Sequence, residues 1–283
     1  NMLVKSPIIS ASDLYQNISR NDIRIIDTRF SLFNKNEGRS LYEKNHIIGA
    51  SYADLDKDLA GNITESSGRH PLPDIDAISG RLRQWGINKS THVIAYDHNN
   101  GSIASRLWWL LKWLGHKKVY VLDGGYLEWE KNNFPIDNSS PNYESGNFSP
   151  VMIKEKIWTA ELINTWIQQS TYFLLIDARD ESRFRGIEEP IDKVAGHIPG
   201  TLNIPFTLFL EKNGIWKKPK EIKAIWKKYQ INNSVEWAVM CGSGVTACHL
   251  SISAALAGLS APKLYPGSWS EWISDNNRPI VNE

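Results

Sequence analysis

Cysteine is nearly absent: the 283 residues hold two, Cys241 and Cys248. Two thiols cannot build a disulfide framework, and their helical spacing disfavours a single bridge. Such a chain fits a reducing compartment, so a cytoplasmic location is expected. Net charge is nearly absent as well, with 32 Lys+Arg against 31 Asp+Glu. That balance gives no reason to expect a nucleic-acid or acidic-membrane partner. Long apolar runs are missing: "LWWLLKWL" at 107–114 is broken by Lys112 and is too short to span a bilayer. No basic stretch followed by an apolar run lies near the start, so no signal peptide is expected. Asn1 before Met2 reads as an appended residue, with Met2 the natural start. What is plentiful is tryptophan, twelve residues of it, which supplies a large aromatic area to bury.

The length suits one large or two ordinary domains, and a repeat decides for two. "RIIDTRF" (24–30) matches "LLIDARD" (174–180), "HIIGA" (46–50) matches "HIPGT" (197–201), and "LDGGYLEW" (122–129) matches "YPGSWSEW" (265–272). The order is the same in both halves and the offsets drift little, from 177 − 27 = 150 to 265 − 122 = 143. That pattern is duplication of a whole domain. The joint lies in "FPIDNSSPNYESGNFSP" (134–150), rich in Pro, Ser, Asn and Gly and without apolar period. The expected division is a first domain at 2–137, a linker at 138–150 and a second domain at 151–283. Strands are expected at 23–27, 92–96 and 119–122, then at 172–177, 236–240 and 263–265. Helices are expected at 11–18 and 160–169, capped by Ser10 and Thr159, and after Pro219. Strands alternating with helices predict an α/β fold, each half a mainly parallel sheet flanked by helices.

The two copies act as an internal control. Asp-x-Arg recurs at Asp27/Arg29 and Asp177/Arg179, and His-Ile-x-Gly at His46 and His197. Features present in both halves read as scaffold: an ion pair fixing a loop, a histidine satisfied in a turn, and the packed Glu-Trp pairs 128/129 and 271/272. One place differs. Counting back from the matched Gly115 and Gly258, Cys241 falls opposite Asp97 or His98. The first half keeps the strand–turn–helix frame without a thiol, so it reads as catalytically degenerate.

Ligands of parallel sheets bind at the carboxyl ends of strands, where Cys241 is expected. Gly242 and Gly244 allow a tight curl in which successive N–H groups converge. A helix starting near Val245 adds its positive end. Both favour a thiolate and an anionic sulfur bound to it. A cysteine phosphatase would need an arginine six residues after the thiol, and Ala247 stands there. Cys241, Cys248 and His249 lack zinc-type spacing, so no metal is expected. Cys248 reads as a packing residue.

With these motifs the chain resembles the two-domain rhodanese superfamily over nearly its whole length. "CGSGVTA" is similar to the active loop of the family's 3-mercaptopyruvate sulfurtransferases, and "HIPGTLNIPF" and "YPGSWSEW" agree. The resemblance implies two tandem rhodanese-like domains and a sulfurtransferase without a cofactor. The Cys241 thiolate would take sulfur from a small-molecule donor as a persulfide. It would pass that sulfur to cyanide or to a thiol such as thioredoxin. Neutral Gly242 and Ser243 replace the cations of thiosulfate-preferring loops, which favours a monoanionic ketoacid thiol. The alternatives are a thiosulfate sulfurtransferase and a persulfide-carrier module. By the same resemblance Ser243, His70 and Asp56 would form a proton relay, and the first domain would supply one wall of an interdomain cleft. Arg183 would bind the donor carboxylate, with Arg185 the alternative, beside Gly242, Gly244, Val245 and Thr246. A second arginine carried by some members is replaced at about Ile191, which leaves two alternatives: carboxylate binding by Arg183 with backbone groups, or compensation by a basic residue elsewhere.

Overall fold

In the computed structural model, residues 6–282 are described; the start expected at Met2 lies outside them. The first half runs β1 (Ile8–Ile9), α1 (Ala11–Asn17), β2 (Ile23–Asp27), α2 (Glu37–Lys44), β3 (His46–Ile47), β4 (Ser51–Tyr52) and α3 (Ile75–Gln84). It continues with β5 (His92–Tyr96), α4 (Ala104–Trp113), β6 (Val119–Leu122), α5 (Gly125–Lys131) and β7 (Ile136–Asp137). The apolar run of β5 is buried at every residue, as a parallel strand covered on both faces requires. It sits in the middle of a parallel sheet ordered β1-β6-β5-β2-β4, with Ile25 opposite Ile94 and Ala95 opposite Val121.

The second half repeats the plan with α6 (Ala160–Gln168), β8 (Leu174–Asp177), α7 (Glu181–Phe184), β9 (Leu202–Asn203) and α8 (Pro219–Lys228). It ends with β10 (Trp237–Met240), α9 (Ala247–Leu256), β11 (Lys263–Leu264) and α10 (Ser268–Trp272). The sheet order β11-β10-β8-β9 is again parallel. The single bridge Ile157–Leu264 takes the place that β1 holds in the first sheet. Both N-caps form as expected: Ser10 Oγ accepts the Asp13 N–H and Thr159 Oγ1 accepts the Leu162 N–H. Pro219 opens α8, where its missing N–H removes a donor the first helical turn cannot pair.

Repeated motifs behave as scaffold. The guanidinium groups of Arg29 and Arg179 each fork onto the aspartate two residues earlier, and their Nη2 atoms donate to Asn45 O and Gly196 O. His46 Nδ1 lies 2.6 Å from Tyr42 O, and His197 Nδ1 lies 2.7 Å from Phe184 O. Trp129 and Trp272 are fully buried, and each indole N–H donates to a proline carbonyl 2.9 Å away.

Two segments cross over between the compact units. Residues through Gly61, Pro73–Ile153 and Leu210–Lys217 form the first unit. Asn62–Leu72, Lys154–Phe209 and the chain from Lys218 onward form the second. The stretch read as a linker, 138–150, is pinned in the first unit. Gly146 and Phe148 donate backbone N–H groups to Arg83 O and Ile87 O, and the Phe148 ring is buried. A glycine-, serine- and proline-rich composition signals only the lack of apolar period; these backbone bonds decide the packing.

Segment 210–217 is tied in by the Trp216 N–H, which donates to Asp123 Oδ1 at 2.9 Å. Burial pushes the Asp123 carboxyl up to about 6, against the pull of that N–H. A raised folded-state value favours the neutral acid. Its stabilising contribution is therefore complete below about pH 4 and is lost as pH rises through about 6. Asp123→Asn keeps the carbonyl acceptor and removes the charge. It should stabilise the protein by about 1–2 kcal/mol at pH 7.5, a figure reduced for partial solvent contact. The gain should vanish at pH 4 in urea titrations; an equal gain at both pH values would contradict the charge argument.

Candidate active site

Strand β10 is buried throughout and delivers Cys241 at its carboxyl end, 3% exposed. Three backbone bonds hold the turn. The Cys241 N–H donates to Ser268 Oγ at 3.1 Å, and the N–H groups of Trp269 and Ser270 donate to Cys241 O and Gly242 O. Gly244 has φ +80° and donates its N–H to Cys241 Sγ at 3.2 Å. A Cβ there would stand 2.3 Å from Pro266 O, so both conformation and space demand glycine. Regular helix begins at Ala247, two residues later than expected, with Thr246 at the N-cap. Val245 is buried at 3%. Cys248 is fully buried, with its Sγ 3.5 Å from Gly244 O, as a packing residue should be.

The first unit resolves what this turn is built for. There the N–H groups of Tyr126 and Leu127 donate to Asp97 O and His98 O, the same pattern that Trp269 and Ser270 make with Cys241 and Gly242. Asp97, rather than His98, is therefore the counterpart of Cys241. Gly101, φ +79°, matches Gly244, with one extra residue between. The Asp97 side chain accepts four backbone N–H groups, from Asn99, Gly101, Ile103 and Ala104, at 3.0–3.1 Å. The shared turn is an anion nest. One copy is filled by its own carboxyl group; the other presents a thiol.

The expected histidine arrives from the exchanged segment. His70, 4% exposed, belongs to the second unit, and its Nδ1 lies 2.8 Å from Ser243 Oγ. The segment is held where Arg69 N–H donates to Ser270 Oγ and where Gly68 packs its Cα against Gly267 O. Asp56 belongs to the first unit, where its carboxyl lies 3.5 Å from Lys35 Nζ.

Arg183, on α7, points its guanidinium at the turn: Nη2 lies 3.4 Å from where a Cβ on Gly242 would sit. Its Nε and Nη2 fork onto Glu189 at 3.0–3.3 Å, and Nη2 also reaches Asp192 at 3.3 Å. Burial raises Glu189, but the Asp192 and Ile191 N–H groups and Arg183 outweigh it and hold the carboxyl below its usual range. Arg185 is 45% exposed and pairs with Glu181 on the surface.

Three residues were invisible to motif reading. Ser268 adopts φ +56° where the first unit has Gly125 at φ +59°. Its hydroxyl holding the Cys241 N–H explains why a strained serine stands there. A serine where the other repeat has glycine is the signal that would have found it. Arg69 and Asp192, in ion-pair contact, carry no motif at all. Among the described residues no cluster of three or more His, Cys, Asp or Glu is arranged for a metal, and no helix is long and apolar enough to cross a membrane.

A family model, the rhodanese-like domain, matches residues 10–132 and 159–275. The chain is 39% identical over 277 residues to a probable 3-mercaptopyruvate sulfurtransferase of Pseudomonas aeruginosa, covering 97% of each. It is 33% identical over 256 residues to a thiosulfate sulfurtransferase of Cricetulus griseus, covering 89% of this chain and 85% of that one. Among solved structures, a 3-mercaptopyruvate sulfurtransferase from Leishmania major superposes with a TM-score of 0.86 at 29% identity, covering 98% of this chain and 76% of that one.

Proposed function

The chain belongs to the rhodanese-like family, and from that premise we propose that it is a sulfurtransferase moving the sulfur of 3-mercaptopyruvate through a Cys241 persulfide to a thiol or cyanide. One observation carries the reading: the turn that gives four backbone N–H groups to a carboxyl group in one repeat gives the Gly244 N–H to the Cys241 sulfur in the other. The Cys241 thiolate attacks the donor sulfur. An S–S bond forms, the C–S bond breaks, and its electron pair leaves as the enolate of pyruvate. The donor's thiol proton returns to that carbon through Ser243 and His70, whose contact is of relay length. Gly244 N–H and the α9 N-terminus hold the persulfide's charge. An acceptor thiolate or cyanide then attacks the outer sulfur and frees Cys241. Each sulfur moves with its electrons balanced, so the cycle needs no oxidant and no cofactor.

Asp56 enters this reading as the third member of the relay that the family resemblance implies. Arg183, whose Nε and Nη2 are held by Glu189 and Asp192, offers the donor carboxylate its Nη1, which faces Gly242, and Gly242, Gly244, Val245 and Thr246 line the turn around the sulfur. Two free cysteines suit a reducing cytoplasm, and the acceptor is a thiol, such as reduced thioredoxin, or cyanide.

Steady-state rates with both donors test the proposal. Expected are a higher kcat/KM for 3-mercaptopyruvate than for thiosulfate and one added sulfur on Cys241 by intact mass. The thiosulfate-sulfurtransferase relative makes the opposite order the main rival, and a higher kcat/KM for thiosulfate would establish it. Slow turnover with every small donor, alongside sulfur transfer from a protein persulfide, would make the chain a carrier. Ser243→Ala should lower kcat for 3-mercaptopyruvate by about 100-fold with KM little changed. A KM effect alone would reassign the hydroxyl to binding.

A further inference from the structure

We infer that Arg69 is a second anion-gripping residue of this site. It would act with Arg183 on the donor's carboxylate, while Asp192 holds the two guanidinium groups in place. Assigning the carboxylate to 3-mercaptopyruvate rests on the reading above; the placement of Arg69 does not.

Arg69 belongs to the exchanged segment of the second unit, and its backbone N–H is fixed on Ser270 Oγ, two residues past the serine that holds Cys241. Its guanidinium lies against the turn: Nη2 is 2.9 Å from where a Cβ on Gly242 would sit, nearer than either nitrogen of Arg183. Both arginines therefore face the same side of Gly242, the residue beside the thiol.

The donors of Arg69 are mostly unspent. Nη1 binds Asp192, whereas Nε is buried without an acceptor. Nη2 makes none of the described hydrogen bonds and faces the turn. A buried guanidinium nitrogen without an acceptor is uncommon in folded proteins and is satisfied when an acceptor enters. The Nε–Nη2 edge is the one that takes a carboxylate with two parallel bonds.

Charge counting gives Asp192 its role. Arg69, Arg183 and Arg179 contribute three positive charges, and Asp192, Glu189 and Asp177 three negative ones. A neutral cluster binds an anion by directed N–H groups more than by net charge, which suits one carboxylate better than a dianion. Asp192, 5% exposed, joins the two arginines through separate oxygens and sets their spacing. Gly242 is part of the same device. An alanine there would meet the flexible end of Arg69 and push it off the turn.

Alkylation of Cys241 tests this without assuming a donor. Iodoacetate carries a carboxylate and iodoacetamide does not, while both modify the same thiol. Arg69→Ala should slow iodoacetate about tenfold and leave iodoacetamide within about twofold. With 3-mercaptopyruvate, KM should rise about tenfold and kcat change less than about threefold. Arg69→Lys should recover less than half of either loss, because a point charge does not replace the fork. An unchanged iodoacetate rate, or an equal fall with both reagents, would overturn the proposal. If wild-type protein fails to turn over 3-mercaptopyruvate, the donor reading falls and the alkylation ratio still decides the role of Arg69.

Discussion

Cys241→Ser should reduce sulfur transfer at least about a thousandfold with every donor while leaving the fold intact. The hydroxyl is nearly isosteric, so it fits the buried end of β10 and can accept the Gly244 N–H as the sulfur does. Stability should change by no more than about 1 kcal/mol. What is lost is the chemistry: a serine oxygen is a far weaker nucleophile at neutral pH and forms no persulfide. Circular dichroism and a thermal midpoint near wild type, together with no added sulfur by mass, would complete the picture. Cys248→Ser is the matched control. That side chain is fully buried and points its sulfur at Gly244 O, a contact that a hydroxyl keeps. Its turnover should stay within a few-fold of wild type. Persistent transfer by Cys241→Ser would end the persulfide mechanism. A comparable loss in folded Cys248→Ser would show that the second thiol takes part.

The second large effect lies in the unit without the thiol. Asp97→Ala removes the acceptor of four backbone N–H groups in a residue that is 4% exposed. Leaving several buried donors unpaired costs about 3–5 kcal/mol in total once partial rehydration is allowed for. Asp97→Asn should be only partly better, since its amide nitrogen must face two of the donors. Urea unfolding measures both. A cost below about 1 kcal/mol for Asp97→Ala would mean that the turn stands without its anion, and the comparison with Cys241 would lose its force. A loss near the expected size shows that the first unit's turn is built around a negative group, as the comparison with Cys241 requires.

Much of the architecture could be read from residue patterns. The repeat aligned β2 with β8, β5 with β10 and β6 with β11, because buried parallel strands need short β-branched runs and little else. The caps at Ser10 and Thr159 and the start at Pro219 were local chemistry and so were local in the sequence. The twelve tryptophans were less informative, since aromatic area has no address. Six of them, 109, 129, 226, 237, 269 and 272, are among the largest fully buried side chains. The gap that left Asp97 and His98 equivalent was closed by two backbone hydrogen bonds, which no alignment of residue types contains.

The sequence by itself determined the duplication, the parallel α/β class and the thiol at a strand end followed by glycines. Each follows from periodicity, spacing or backbone freedom within a few residues. Tertiary structure alone decided that residues 62–72 belong with the second unit, which brings His70 to Ser243 across 173 residues of chain. It also decided that Ser268 anchors Cys241 and that Arg69 faces Gly242 beside Arg183. Those are meetings of side chains with no fixed separation in sequence. They depend on how one loop is exchanged between repeats, and a one-dimensional pattern carries no record of that exchange.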